Sequence, residues 1–399
     1  MQTTTSSELI ETIRRFHADR RPSGFRRKLV RMAEGAFEFF RGTDFLFARA
    51  WPELKPGDPG PAVLICGDLH LENFGAFLTD DGDFRFDIND FDEAVVAPCS
   101  LDLVRCSTSI LLAAESWRLT PTQATGMVLE FLDNYHRSIR QDGDEPIVDG
   151  QPPLGSIGSL LWATAQGTTR GMLKRYTVQK NGSRRIRHRK NRITGISAKN
   201  AQLIRDAVTT FGWTQNWKVL DVARRHAGIG SLGLRRFLVL LQEGEQADPL
   251  VLDVKEAAPS ALRDLADVSV PPAENEAERI VSAQRQLQAK PTARLAALQI
   301  GDRWYRLRAM VPEENQSSLA RLRESPTKLR EAVAAAGRLT ARSQHRGSHI
   351  GNIDRFTELK LWADSPALES VLAAAVRFAD WVQRDYDAFL KAYRDGEFG

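Results

Sequence analysis

The apolar run Ala62-Val63-Leu64-Ile65-Cys66 leads directly into Gly67-Asp68-Leu69-His70-Leu71-Glu72-Asn73, a segment that cannot continue a core. Apolar residues followed by glycine and charge predict a buried strand that stops at a cleft or surface. Asp68 and Asn73 then stand five residues apart on one loop. A loop at a strand end exposes a carboxylate without burying it unpaired, so Asp68 can reach a hydroxyl as a general base. Asn73 offers a neutral oxygen to a hard cation. About one hairpin later, Asp87, Asp90, Asp92 and Glu93 crowd into Asp87-Ile88-Asn89-Asp90-Phe91-Asp92-Glu93. Their repulsion is costly unless water or a cation relieves it. The reading is a divalent-metal site drawing on this acidic cluster. The plainer reading is an acidic turn in which Asp68 and Asn73 cap backbone amides.

A chain of 399 residues exceeds one typical domain and predicts two lobes or domains. No apolar run reaches the length of a membrane span. The start, Met1-Gln2-Thr3-Thr4-Thr5-Ser6-Ser7, lacks the basic-then-apolar layout of a signal peptide. Cys66, Cys99 and Cys106 lie in or beside apolar segments, as buried thiols of a reducing compartment do. The expectation is a cytoplasmic protein with no membrane partner. The net charge of +4 decides little, but its distribution is uneven. Between Thr169 and Arg192 there are ten Lys/Arg and no Asp or Glu, around an Asn181-Gly182 hairpin signal. This is either a solvated hairpin or a patch for the phosphates of a nucleotide, an acidic substrate or RNA. Few aromatic residues interleave with the charges, which disfavours nucleic acid bound by base stacking.

The remaining pattern is mixed α+β. Residues 8–50 read as amphipathic helix, and strands are expected at 62–66 and about 84–89. Helices follow at 101–115 and 121–140, a loop at 141–158, and further helix at 198–226. Strands return at 236–241 and 250–255, then a helix at 274–289 and a hairpin from Leu295 to Met310. Helices at 327–344 and 366–393 close the chain. The expected division is 1–60, an N-terminal helical segment; 61–215, carrying Asp68 and the metal site; 216–315, a small nucleotide lobe; and 316–399, helices that complete the larger lobe.

Gly228-Ile229-Gly230-Ser231-Leu232-Gly233 is the second candidate motif. A dinucleotide-binding fingerprint wants a strand before the glycines and a helix after them. Here a helical pattern precedes and a strand follows, which argues against that use. A kinase-type glycine loop lies in a hairpin over the phosphates, with a lysine on the following strand. Lys255, 22 residues after Gly233, holds that place beside Glu256.

These segments together are similar to a bacterial family of unknown function, DUF2252. The matching residues are Phe39-Phe40-Arg41-Gly42, Gly67 through Gly75, Phe86 through Glu93, Gly228 through Gly233, and Val254-Lys255-Glu256-Ala257; Ala379-Asp380 and Asp385-Tyr386 also fit. The chain also resembles aminoglycoside phosphotransferases and related small-molecule kinases. Their catalytic loop resembles Gly67 to Asn73, their metal segment Ile88 to Asp92, and their brace the Asp102 that follows Pro98. The resemblance implies a two-lobed protein-kinase-like fold, with a mostly helical large lobe and a small antiparallel-sheet lobe. It implies ATP and Mg²⁺ as cofactors, Asp68 as base, and Asn73 and Asp90 as metal ligands. Asp102 would brace the loop, and Gly228, Gly230, Ser231, Gly233 and Lys255 would hold the nucleotide. His70, Asp92 and Arg41 are supporting residues. Kinases place the glycine loop before the catalytic loop; here it comes about 160 residues after. The lobes would therefore be circularly permuted, with a hinge near Met310-Val311-Pro312. Glu276 or Glu278 would pair with the lysine.

The function expected is ATP- and Mg-dependent phosphoryl transfer to an unidentified acceptor, acidic or phosphorylated if the basic hairpin serves it. One alternative is a nucleotide-binding pseudokinase or a nucleotidyltransferase. Another is a metallophosphoesterase-like hydrolase, because Asp68-Leu69-His70 matches its opening D-x-H. Against the hydrolase, neither G-N-H-E nor G-H-x-H follows downstream.

Overall fold

The helical pattern of the first fifty residues is interrupted by Pro22, Gly35 and Thr43. In the computed structural model it folds as four short helices: Ser6–Phe16, Pro22–Met32, Ala36–Gly42 and Asp44–Leu54. Proline suits the first turn of the second, where its missing N–H is no loss. The structure describes residues 6–141, 169–245, 247–310 and 325–398. Among them, twelve α-helices and a set of antiparallel sheets, none closed, make a mixed α+β fold. Of the loop expected over 141–158, residues 142–158 lie outside the described residues, as do the hinge residues Val311 and Pro312.

Helix Ser100–Ser116 is buried along most of its length, from Leu101 through Ile110. A helix buried on nearly every side must be central, even though this one carries Asp102, Arg105 and the run Ser107-Thr108-Ser109. It packs against Pro121–Arg140 and Ala367–Arg394. Helix Pro326–Gly347 crosses Pro121–Arg140 at close range, because Gly337 lets the backbones meet. A Cβ there would lie 2.2 Å from the Phe131 carbonyl oxygen.

The two strands expected at 62–66 and about 84–89 each pair with a strand that the sequence reading did not include. β1 (Ala62–Ile65), β2 (Phe74–Leu78), β3 (Phe84–Ile88) and β4 (Val95–Pro98) form two ribbons, β1 with β4 and β2 with β3. β2 and β4 have only five and four residues and no apolar–polar alternation, so periodicity gives no sign of them. β5 (Thr177–Lys180) and β6 (Ser183–Ile186) are the basic hairpin. Asn181 and Gly182 both have positive φ, as the tight two-residue turn requires.

A six-stranded sheet follows, built from β7 (Ile193–Thr194), β8 (Trp217–Arg225), β9 (Arg236–Glu243), β10 (Leu250–Glu256), β11 (Ala296–Ile300) and β12 (Arg303–Ala309). Its order is β11-β12-β10-β9-β8-β7. The helix expected over 198–226 is corrected here. It stops at Val208, and Trp217–Arg225 is a strand. Thr209, Thr210 and Gly212 end the helix, and β-branched Val219 and Val222 favour the strand that follows. One face of the sheet packs Leu252, Val254, Val239 and Leu307 against helix Ala198–Val208. On the other, Val251, Leu238 and Leu240 pack with Leu173, Tyr176 and Ile186. Residues two apart in a strand share a face, so Asp253, Lys255, Arg236, Arg306 and Arg308 continue this second face as a charged strip. A short hairpin of β13 (His349–Ile350) and β14 (Ile353–Asp354) precedes helix Phe356–Ala363. No helix among the described residues is long and apolar enough to cross a membrane.

Candidate functional site

The turn after β1 requires glycine. Gly67 has φ +85°, and a Cβ there would lie 2.2 Å from the Glu93 carbonyl oxygen. Asp102, in the first turn of its helix, accepts the N–H groups of Cys66 and Gly67 at 3.0 Å each. Burial raises its pKa to about 6 against these hydrogen bonds. The loop is therefore pinned from below while Asp68 faces a cavity.

Asp68 accepts from Arg105 Nε at 2.5 Å. Arg105 is 1% exposed, stacks over Phe40 at 4.1 Å and Phe47 at 4.8 Å, and donates to the Phe40 carbonyl. Asp68 keeps 21% of its side chain exposed. Burial pushes its pKa up to about 7, with Arg105 opposing the rise. A carboxylate titrating near neutrality is suited to accept a proton and give it up again.

Asn73 ends a single 3₁₀ turn, Leu71–Asn73. Its Nδ2 donates to the Asp68 carbonyl at 3.0 Å, which leaves Oδ1 buried without a donor. Asn89 Oδ1, Asp90 Oδ1 and Asp92 Oδ1 are likewise buried without a hydrogen-bond donor. Lys255 reaches across from β10 to this group, pairing with Asp92 and standing 3.6 Å from Asp90 Oδ1. Burial works to raise the Asp90 pKa, but Lys255, Arg306, Arg308 and Arg236 outweigh it and hold it at about 2.

The four crowded acids thus divide. Asp87 turns away to the Ile88 N–H and to Arg346 at 3.7 Å. Glu93 accepts the Ala261 N–H at 2.6 Å. Only Asp90 and Asp92 face Lys255. Among the described residues no three His, Cys, Asp or Glu side chains are grouped to hold a metal by themselves. The oxygen set is an amide and carboxylates, which fits Mg²⁺ taken up with waters and substrate phosphates.

The glycine segment joins β8 to β9, so it lies in an antiparallel hairpin. Gly228 and Gly233 have φ of +79° and +103°. Ser231 Oγ is spent within the turn, on the Ala227 carbonyl at 2.9 Å. From outside, Arg20 donates to the carbonyls of Gly230 and Leu232, and the buried Lys28 to that of Gly230. Helix Pro22–Met32 presses directly on the segment: a Cβ on Gly24 would lie 2.5 Å from Gly233 Cα.

Asp68, Asn73, Asp90, Gly228, Gly230, Ser231, Gly233 and Lys255 line one cavity of about 1370 Å³. His70, Asp92 and Arg41 line it too; Asp102 does not. The family model described as an uncharacterized protein conserved in bacteria, DUF2252, matches residues 20–392. The chain belongs to the DUF2252 family. No curated protein and no solved structure matches it. The DUF2252 match spans every cavity residue except Phe16 and Asp19, so the site lies within the family's own region.

Several groups lining the cavity, or backing the residues that line it, escaped the sequence reading. Arg105 is one; a lone cation three residues after Asp102 in an apolar helix was its signal. Arg306 and Arg308, two apart in β12, were signalled by charges at a strand's period in an apolar strand. Arg20 and Lys28 carried no local sign. Neither glutamate proposed for Lys255 pairs with it among the described contacts. Glu276 pairs with Arg279 at 2.6 Å, and the Glu278 N–H goes to the Asn275 cap. Arg279 instead donates to the carbonyls of Asp92 and Ala94, which ties the acidic loop to helix Glu276–Leu287. His70 is a turn residue, since its Nδ1 accepts the Glu72 N–H. Burial, with Arg41 and Arg105 nearby, lowers its pKa well below the usual value. Arg41 pairs with Glu72 at 2.6 Å.

Proposed function

We propose that this protein is a phosphotransferase that uses ATP and Mg²⁺, with a two-lobed protein-kinase-like fold in circularly permuted order. One observation carries the reading. Gly228–Gly233 and Lys255 share a cavity with Asp68, Asn73 and Asp90 from which the sequence separates them by about 160 residues. Such a convergence is what a nucleotide site split between two segments requires.

In this account Lys255 and the Gly228–Gly233 backbone bind the triphosphate. Asn73 Oδ1 and Asp90 would hold the cation, which when bound neutralises charge on the phosphates. The orphaned oxygens of Asn73, Asp90 and Asp92 support that fit, and so does the Lys255 ammonium drawn between the two aspartates. Asp68 accepts the proton of the acceptor hydroxyl as that oxygen bonds to the γ-phosphorus and the bond to ADP breaks. Its raised pKa makes the carboxylate a stronger base and confines its ionised form to pH above about 7. Arg105 fixes the carboxylate's position. The two-metal hydrolase reading draws no support here, because no three His, Cys, Asp or Glu side chains are grouped among the described residues and His70 Nδ1 is taken by the Glu72 N–H.

The test is incubation with ATP labelled at either the α or the γ phosphorus, with Mg²⁺ and water as surrogate acceptor. The account expects γ-label released as phosphate, and Asp68→Asn slower by about 10²–10⁴-fold with nucleotide affinity nearly unchanged. Release of α-label would make it a nucleotidyltransferase. Tight Mg-ATP binding with no turnover on any acceptor would make it a pseudokinase.

A further inference from the structure

The strip beside Lys255 holds more positive charge than its partners use. Lys255 stands opposite Arg236 on β9 and Arg306 on β12, and Arg308 stands opposite Asp253. Arg225, at the end of β8, approaches Asp253 at 3.4 Å. Cations directly opposite one another in a sheet repel. Five cations here face three carboxylates, Asp253, Asp90 and Asp92, an excess of two. Arg236 takes Asp253 with both arms of its guanidinium, at 2.7 and 2.5 Å. Arg306 is left 3.8 Å from that carboxylate. Its side chain is 2% exposed, and its Nε and Nη1 have no acceptor. Arg308 donates Nη1 to the Asn89 carbonyl, while its Nε has no acceptor. Both line the cavity. A buried guanidinium with vacant donors is costly unless an anion completes it.

We propose that Lys255, Arg306 and Arg308 form a phosphate subsite that grips a polyphosphate-bearing small molecule, with the Arg236–Asp253 pair as its frame. Guanidinium forks suit phosphate oxygens and bind them through charge-assisted, often bidentate hydrogen bonds. With a divalent cation on Asp90 the excess rises to four positive charges, the charge that a fully ionised triphosphate tail cancels. The phosphate comes either from the nucleotide's tail or from a phosphorylated acceptor. The ligand's identity rests on the phosphotransferase reading; the anion subsite itself does not.

Inorganic tripolyphosphate, which has no nucleoside, is the probe, titrated into the full chain by calorimetry with and without ATP and Mg²⁺. Wild type is expected to bind it. Arg306→Gln should weaken that binding roughly ten- to hundredfold, the worth of one to two charged hydrogen bonds. Arg306→Lys should fall between, since it keeps the charge and loses the fork. If Arg306→Gln does not fold, Arg308→Gln carries the same expectation. Displacement of ATP by tripolyphosphate assigns the subsite to the nucleotide's tail. Binding alongside ATP assigns it to a phosphorylated acceptor. Wild type that ignores tripolyphosphate, or folded Gln variants that bind it as wild type does, would overturn the subsite. Tripolyphosphate binding through Arg306 without ATP turnover keeps the subsite and removes the phosphotransferase reading. ATP turnover by a wild-type protein that ignores tripolyphosphate does the reverse.

Discussion

Replacing Arg105 by leucine should move the pH profile of the reaction while leaving the protein folded. Arg105 is the direct cationic partner of Asp68, at 2.5 Å, and is itself sealed from solvent beneath Phe40 and Phe47. Leucine keeps the apolar contact with those rings. Losing an adjacent opposite charge raises a carboxylate pKa by about 1–3 units. Asp68 starts at about 7, so the variant should titrate at roughly 8–10. At pH 7 the ionised fraction then falls from about one half to between about a tenth and a thousandth. Turnover limited by that base drops about 5- to 500-fold and recovers in alkali. Stability suffers less than the roughly 3–5 kcal/mol of an unpaired buried charge, because Asp68 escapes by taking up a proton. The sign is that of a raised pKa: the protonated form favours the fold, and this contribution fades as pH rises through the folded value. The assay is ATP hydrolysis from pH 5 to 10, with thermal melting in parallel. A folded variant whose profile keeps the wild-type midpoint would refute the role given to this pair.

Asp90→Asn removes an anionic cation ligand and one of the carboxylates beside Lys255; calorimetry should show weaker Mg-ATP binding, and an unchanged affinity in a folded protein contradicts the assignment. Gly24→Ala drives a Cβ to 2.5 Å from Gly233 Cα, so it should displace the glycine segment and weaken nucleotide binding more than it lowers the melting temperature. Asp385 is buried with Oδ2 unpartnered, and burial raises its pKa to about 6. Its protonated form favours the fold, a contribution complete below about pH 4 and lost as pH rises through about 6. Asp385→Asn should therefore flatten stability over that window and stabilise the protein at pH 7 by up to about 3 kcal/mol, read by urea melts at pH 4 and pH 7. An unaltered slope would show that another group titrates there.

The local motifs were legible because each has a short-range cause. Asp68 and Asp90 follow strand ends, Asn73 closes the turn just before a strand, and Asn181-Gly182 fixes a hairpin by backbone conformation alone. Long amphipathic helices such as Pro121–Arg140 were legible for the same reason, through period and capping. What could not be read depends on distant partners. β1 pairs with β4, not with the strand nearest in the pattern, because pairing is decided by packing across the core. Trp217–Arg225 looked helical until its place between β7 and β9 made it a strand. Lys255 finds Asp92 from another segment, not a helix glutamate, and Arg105 finds Asp68 across 37 residues. Arg20 and Lys28 support the glycine segment from more than 200 residues away, and no sequence pattern encodes that contact.

The most direct measurement is a crystal structure of the full chain with a non-hydrolysable ATP analogue and Mg²⁺. The account predicts phosphate oxygens within hydrogen-bond distance of Lys255 Nζ, and a cation on Asn73 Oδ1 and Asp90, in the cavity that Asp68 also faces. A nucleotide bound elsewhere, with Lys255 still paired to Asp92, would contradict it.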